Sequence, residues 1–252
     1  MPEFSTFEHD LSSIKAIWID VDQTLLDFDA CAKVALQTTF DRYGLEWSDD
    51  VFDTFLKENS LLWDQIEEGK LTRAELRKIR FPIIFKALDR KLPDPEHFES
   101  IFSTILHQQA IAMPDANDSL VYLKQAGLHL AVISNGPDQG QKNRLTIAGM
   151  MEYFDAIYTS EKLGSAKPSR DFFDKALEEF QNVIHEDLDP EQILVIGDSW
   201  KADIQGAIDS GFQSLWLSAN RKLDPFDPHR HPMVIEVNSW KEIQSLLLKD
   251  RA

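Results

Sequence analysis

The sequence holds a single cysteine, Cys31, so no disulfide can form within the chain, and no Cys or His stands near it at metal-ligand spacing. Cys31 therefore reads as a small buried hydrophobe. Positive charge is also scarce, with 26 Lys and Arg against 43 Asp and Glu, a formal charge of −17, and no Lys/Arg-rich run. Such a surface repels phosphate backbones, which excludes polymeric nucleic acid as a partner. No apolar run approaches the roughly 18–20 residues of a membrane span, and the first ten residues, Met-Pro-Glu-Phe-Ser-Thr-Phe-Glu-His-Asp, have neither the basic region nor the apolar stretch of a signal peptide. The expectation is a soluble, cytoplasmic protein that binds no membrane. Repeats and low-complexity segments are missing too. What remains is 252 residues that are 43% hydrophobic and 10% aromatic, enough for a packed core and too apolar for global disorder.

Two textures alternate along the chain. Short β-branched and aromatic runs at Ile14–Ile19, Leu128–Ile133, Ala156–Thr159, Ile193–Ile196, Ser214–Leu217 and Val234–Val237 predict strands, most too apolar to be half-exposed. Amphipathic helix-length segments separate them, at about Ala116–Ala126, Gln141–Ala148, Arg170–Gln181, Lys201–Ser210 and Ser239–Leu248. Strands alternating with helices imply βαβ crossovers, and so an α/β fold with a Rossmann-like parallel sheet. From about Phe28 to His107 only helical spacing appears, over Asp29–Tyr43, Asp50–Ile66, Thr72–Leu88 and Pro95–Gln109, broken at Gly44, Gly69 and Pro93. The organisation expected is a core domain of residues 1–27 and 108–252 with an inserted all-helical domain, 28–107. The insert follows the first strand so closely that it must rise from the carboxyl edge of the sheet, the edge where such folds bind ligands, and it is well placed to act as a cap. The Pro- and His-rich Asp224–Pro232 stretch reads as a surface loop. Its Asp227, His229 and His231 invite a metal reading, but no partner ligands stand nearby in sequence.

The first strand ends in Asp20-Val21-Asp22-Gln23-Thr24. If the strand stays extended, Asp20 and Asp22 point the same way and put two carboxylates at its tip. Like charges so close raise one another's proton affinity, so either a divalent cation neutralises them or one carboxyl keeps its proton. Both outcomes suit phosphoryl transfer, in which one carboxylate attacks phosphorus and the other handles the leaving-group proton. The plain alternative is two solvated acids in a turn. The strand ending at Ile133 runs into Ser134-Asn135-Gly136, whose hydroxyl and backbone amides could cradle phosphate oxygens or simply end a strand. Lys167-Pro168 precedes a helix near Arg170, either as a charge partner for phosphate and acids or as loop punctuation. The strand ending at Ile196 leads into Gly197-Asp198-Ser199-Trp200-Lys201-Ala202-Asp203, two further oxygen ligands that make a Mg²⁺ site chemically sensible.

Asp-x-Asp-x-Thr, Ser-Asn-Gly, Lys-Pro and Gly-Asp-x-x-x-x-Asp, in this order and each at the end of a strand or the start of a helix, closely resemble the haloacid dehalogenase superfamily, over nearly the whole chain. The resemblance implies that Asp20 is a nucleophile forming an aspartyl-phosphate and Asp22 the general acid/base. Thr24, Ser134, Asn135 and Lys167 would bind or position the phosphoryl group, Lys167 also stabilising the nucleophile. Mg²⁺ would be held by Asp20, Asp198 and the backbone carbonyl of Asp22, with Asp203 supporting that shell, and the helical insert would be a C1-type cap. The superfamily's dehalogenases usually carry a non-acid two residues after the nucleophile, so Asp22 disfavours dehalogenation. Gln23 departs from the Gly often found at its position.

Asp27-Phe28-Asp29, then Asn59 to Trp63 with Glu68-Gly69-Lys70-Leu71-Thr72, then Arg77-Lys78-Ile79-Arg80-Phe81, are similar to the YjjG/YfnB-like branch of house-cleaning nucleoside 5′-monophosphate phosphatases. That resemblance implies a small phosphorylated metabolite as partner, a nucleoside monophosphate, and a monomer or weak homodimer. Asn59 and Trp63 share a helix face at i,i+4 spacing, where Trp63 could stack on a nucleobase and Asn59 bond its edge, or Trp63 could be core. Sugar-phosphate or phosphoglycolate hydrolysis and phosphomutase activity are the alternatives within phosphoryl transfer. A non-enzymatic phospho-acceptor module also clusters acids on a parallel sheet, but such modules are usually shorter and carry no helical insert.

Overall fold

The structure, a computed structural model, describes residues 11–91, 93–218 and 234–249, so the loop read at Asp224–Pro232 lies outside the described residues. The chain divides into two compact units, 1–26 with 112–142 and 149–252, and 27–111 with 143–148. The chain leaves the first unit and returns to it through short antiparallel pairings, Asp27 N–H to the Ile111 carbonyl at 2.8 Å and Met113 N–H to that of Leu25 at 2.9 Å. No helix among the described residues is long and apolar enough to cross a membrane.

The first unit is built on six parallel strands, β1 (Ala16–Ile19), β2 (His129–Ser134), β3 (Ala156–Thr159), β4 (Ile193–Gly197), β5 (Gln213–Leu217) and β6 (Val234–Val237), in the order β3-β2-β1-β4-β5-β6. β1 and β4 are buried along their whole length, as uninterrupted apolar runs require. β1 starts two residues later than its apolar run because Leu11–Ser13 forms a 3₁₀ turn, in which Ile14 N–H bonds the Leu11 carbonyl at 3.2 Å. Trp18 fills one face, its ring 5.1 Å from Phe212, 5.6 Å from Phe180 and 6.2 Å from Tyr158. Ile19 pairs with Val132 of β2 on one side and Ile196 of β4 on the other, so the three chain segments leaving those strands emerge side by side. Between β1 and β4 the strand order reverses direction, which is where doubly wound sheets bind ligands.

The second unit is helical: α1 (Phe28–Arg42), α2 (Asp49–Glu67), α3 (Arg73–Ala87) and α4 (Pro95–Leu106). Its start signals are chemical. Asp27 accepts from Ala30 N–H at 2.9 Å, Thr72 and Glu75 form a reciprocal capping box, and Asp94 accepts from His97 N–H beside Pro95 at the first helical position. Phenylalanines dominate the interior, with Phe81 4.6 Å from Phe98 and Phe55 5.3 Å from Phe102. Cys31 is buried in this cluster and its Sγ accepts from Ile111 N–H at 3.3 Å, as a small apolar residue with a weak acceptor.

The remaining helices are α5 (Ala116–Gln125), α6 (Asp138–Ile147), α7 (Ser160–Leu163), α8 (Arg170–Ile184), α9 (Gly206–Asp209) and α10 (Trp240–Lys249). α6 begins three residues before the apolar spacing does, with Gln141 N–H already bonded to the Pro137 carbonyl at 2.9 Å. The segment expected as one helix over Lys201–Ser210 is instead a wide π-helical turn, Trp200–Gln205, followed by α9; Ile204 N–H reaches five residues back to the Ser199 carbonyl at 3.2 Å.

Candidate active site

β1 ends at Ile19, and Asp20 N–H continues the ladder onto the Ile196 carbonyl at 2.9 Å, which fixes Asp20 at the strand tip. Beyond it the chain turns back: Leu25 and Leu26 N–H both bond the Val21 carbonyl, and Gln23 lies at φ 60°. The extended Asp20/Asp22 pair expected from the sequence is therefore replaced by a turn, and Asp22 stands apart from the acids that converge. Those are Asp20, Asp198 and Asp203, each offering one oxygen, all within 4.8 Å of one another and all buried.

Lys167 lies among these acids, 2% exposed. Its Nζ donates to Asp20 Oδ1 at 2.7 Å, Asp203 Oδ1 at 2.6 Å and the Ile133 carbonyl at 3.0 Å, which uses all three ammonium hydrogens. Lys167 thus presents its charge to the cluster with no ammonium hydrogen to spare. Asn135 clamps the lysine's backbone, its Nδ2 donating to the Lys167 carbonyl and its Oδ1 accepting from Lys167 N–H, both at 2.9 Å. Both polar ends of its side chain thus meet the backbone of Lys167. Asp203 is equally committed, since its Oδ2 accepts from Ser199 N–H at 3.0 Å while its Oδ1 holds Lys167. Gly197 supplies the room for this: a Cβ there would overlap the Asp203 carboxylate.

Burial and the neighbouring carboxylates of Asp203, Asp198 and Asp22 raise the Asp20 pKa well above the ordinary carboxylate range, against the lowering pull of Lys167. For Lys167 burial pulls the pKa down, but Asp20 and Asp203 outweigh it and the net shift is upward, so the lysine stays charged. One ammonium stands against the three converging carboxylates. The imbalance calls for further positive charge, and the donors that converge are hard oxygens of the kind a small divalent cation prefers.

Ser134 closes β2, 2% exposed, its Oγ accepting from Gly136 N–H at 2.9 Å and from Gln141 Nε2 at 3.0 Å. Thr24 is fully buried, and its Oγ1 has no hydrogen-bond partner among the described residues. Three residues of this site carry no signal in the sequence. Gln141 Nε2 donates to Asp22 Oδ2 at 2.8 Å, the Trp216 indole N–H to the Asp198 carbonyl at 2.9 Å, and that of Trp240 to the Thr24 carbonyl at 2.8 Å. Each indole pins the backbone of one acid-bearing loop. A buried Trp needs a partner for its N–H, but spacing does not say which.

Asn59 and Trp63 belong to the helical unit. Asn59 is 5% exposed, its Oδ1 accepting from Arg80 Nη1 at 3.2 Å. Arg80 in turn is held by Glu99, through Nε at 3.0 Å and a short contact from Nη2, and Ser103 Oγ donates to Glu99 at 2.7 Å. Trp63 is half-buried and lies outside the phenylalanine cluster.

The family model "haloacid dehalogenase-like hydrolase" matches residues 14–211, from two residues before β1 to two residues after α9. The chain belongs to the haloacid dehalogenase-like hydrolases. It is 29% identical to the pyrimidine 5′-nucleotidase YjjG of Escherichia coli strain K12, over 92% of this chain and 97% of that protein. It is 31% identical to the pyrimidine 5′-nucleotidase PynA of Streptococcus pneumoniae, over 81% of this chain and 84% of that one. Among solved structures, the magnesium-bound HAD-hydrolase YfnB of Bacillus subtilis superposes with a TM-score of 0.83 at 28% identity, covering 93% of this chain and 98% of its own. The Rossmann-like parallel sheet and the reading of the chain as an enzyme of the phosphatase class agree with this membership.

Proposed function

We propose that the protein is a Mg²⁺-dependent phosphomonoester hydrolase that works through an aspartyl-phosphate on Asp20, and that its substrates are nucleoside 5′-monophosphates. The observation that carries the reaction is the buried Asp20 carboxylate at the switch point of the sheet, oriented at Oδ1 by Lys167, with Asp22 a short turn away. Asp20 attacks phosphorus; an Asp20 oxygen–phosphorus bond forms as the ester oxygen–phosphorus bond breaks. Asp22 gives its proton to the departing ester oxygen. Asp22, now ionised, takes a proton from a water that attacks the same phosphorus, and the Asp20 oxygen–phosphorus bond breaks to release inorganic phosphate. Ser134 donates to a phosphoryl oxygen, and Lys167 offsets the charge of the acids around it. Asp20, Asp198 and the Asp22 backbone carbonyl would hold Mg²⁺, which supplies the positive charge that the acid cluster lacks and that phosphoryl oxygens need. Asp203, with both oxygens engaged by protein donors, supports that arrangement.

For the substrate, two relatives spanning most of the chain are named pyrimidine 5′-nucleotidases, which supports a nucleotide. In the helical unit, Arg80 fixes the Asn59 amide by its oxygen, and the amide nitrogen donates to none of the described residues. That orientation offers a donor suited to a base carbonyl, with Trp63 one helical turn away for stacking. The enzyme acts in the cytoplasm as a monomer or weak homodimer.

Phosphate release from a panel of nucleoside monophosphates and sugar phosphates, with chelator or Mg²⁺, tests the whole reading. We expect activity only with Mg²⁺ and highest kcat/KM on pyrimidine nucleotides. Full activity after exhaustive chelation removes the metal, and preference for sugar phosphates overturns the nucleotide assignment alone. Asp20→Asn must abolish turnover; a variant that keeps most of the rate, with deamidation controlled, ends the covalent mechanism.

A further inference from the structure

Gln141 belongs to none of the four motifs, yet it is 2% exposed and touches two of them. Its Nε2 bears two hydrogens, and it donates at 2.8 Å to Asp22 Oδ2 and at 3.0 Å to Ser134 Oγ. Each bond has a chemical consequence. A hydroxyl oxygen has two lone pairs, and those of Ser134 are met by Gln141 and by Gly136 N–H. Its remaining capacity is its own O–H, which no described residue accepts, so Ser134 faces the site as a donor. At Asp22, the N–H holds Oδ2 and so fixes the orientation of the carboxyl group. A third observation bears on both: a Cβ at position 136 would overlap the Gln141 amide, so Gly136 keeps open the space the amide occupies.

We propose that Gln141 is a positioning residue for the hydrolysis: a single amide nitrogen orients the Asp22 carboxyl group through Oδ2 and turns the Ser134 hydroxyl outward as a donor to a phosphoryl oxygen. This rests on the reading of Asp22 as the acid and Ser134 as a phosphate ligand. The amide reaches the substrate only through these two residues. Its loss must therefore track the properties of both, a demand for leaving-group protonation and a weaker hold on phosphate.

Gln141→Met keeps the length of the side chain and removes the donor. Kinetics on a nucleoside 5′-monophosphate, whose alkoxide leaving group needs a proton, are compared with 4-nitrophenyl phosphate, whose leaving group does not. General-acid help is worth about 10²–10⁴-fold, and a residue acting through the acid should carry a part of it, roughly 10–100-fold in kcat on the nucleotide, against under about threefold on the aryl ester. KM should rise on both substrates through Ser134. Gly136→Ala, which keeps every polar group and displaces the amide, must give the same split, and it decides the matter if Gln141→Met does not fold. Asp22→Asn in the same series separates the two layers. If it shows no leaving-group dependence, the acid reading is overturned and this proposal with it. If it shows that dependence while Gln141→Met and Gly136→Ala lose nothing, or lose equally on both esters at unchanged thermal stability, Gln141 has no positioning role. In the double variant, Asp22→Asn with Gln141→Met, nucleotide kcat should fall no further than in Asp22→Asn alone; additive losses overturn the proposal.

Discussion

Gln23 shows at the scale of one residue how the site bends the backbone against local preference. It sits at φ 60°, a conformation costing a side-chain-bearing residue about 1–2 kcal/mol, and its Oε1 is buried without a hydrogen-bond partner among the described residues. Glycine removes both penalties but adds freedom to the unfolded chain, worth roughly 0.4–1 kcal/mol. Gln23→Gly should therefore raise the denaturation midpoint slightly, by up to about 1 kcal/mol, with activity within twofold. A lower midpoint would show that the side chain contributes packing beyond its strain. The acids themselves were legible because polar residues at the ends of short apolar runs can only be strand tips. Their partners were not: Lys167 is 147 residues from Asp20, and Trp240 is 216 from Thr24. Only the folded sheet brings those positions together.

Helices and strands came through the sequence because burial imposes a period, and the capping residues at Asp27, Thr72 and Asp94 mark where the period begins. The π turn at Trp200–Gln205 did not, since its spacing is that of an ordinary helix and its widening follows from holding Asp203 against Gly197. Nor did the join between α3 and α4. A helical period predicts which face is buried but not that Arg80 and Glu99, 5% exposed each, will meet within it. The buried pair makes a prediction about these elements. Removing one member leaves the other charge uncompensated, at a cost of about 3–5 kcal/mol. Arg80→Met should lower stability by that order, and adding Glu99→Met should restore most of it in chemical denaturation; a double variant no more stable than the single would mean the charges do not act as a pair. The recognition role proposed for α2 is tested by Trp63→Ala, expected to raise KM for nucleoside monophosphates about five- to 150-fold, from 1–3 kcal/mol of stacking, while sparing an aryl phosphate. Equal harm to both substrates with a lower Tm assigns Trp63 to packing.

Charge is the property that spans the molecule, and at the sheet's carboxyl edge the overall excess of acid is gathered into one buried cluster. Asp20, its pKa raised chiefly by burial and then by Asp203, Asp198 and Asp22, holds its proton more tightly folded than unfolded. Between the ordinary carboxylate value of 3.8 and the raised one, the folded state thus binds more protons than the unfolded state. Stability of the metal-free protein should fall as pH rises through that window and level off above it, the reverse of a carboxylate whose pKa folding depresses. A cation competes with that proton. Because Mg²⁺ would bind the ionised carboxylate and only the folded state assembles the site, it should stabilise by mass action, and the gain should grow as pH rises. Thermal unfolding between pH 5 and 8, in chelator and in millimolar Mg²⁺, reads both effects. In chelator Tm should decline with pH; with Mg²⁺ the decline should shrink or vanish. Asp20→Asn, which cannot titrate, should lose its share of the slope and most of the Mg²⁺ dependence. A Mg²⁺ shift of equal size at both ends of the range, or an unchanged slope in Asp20→Asn, would place the titrating group and the cation elsewhere in this acidic chain and separate them from the buried cluster beside Lys167.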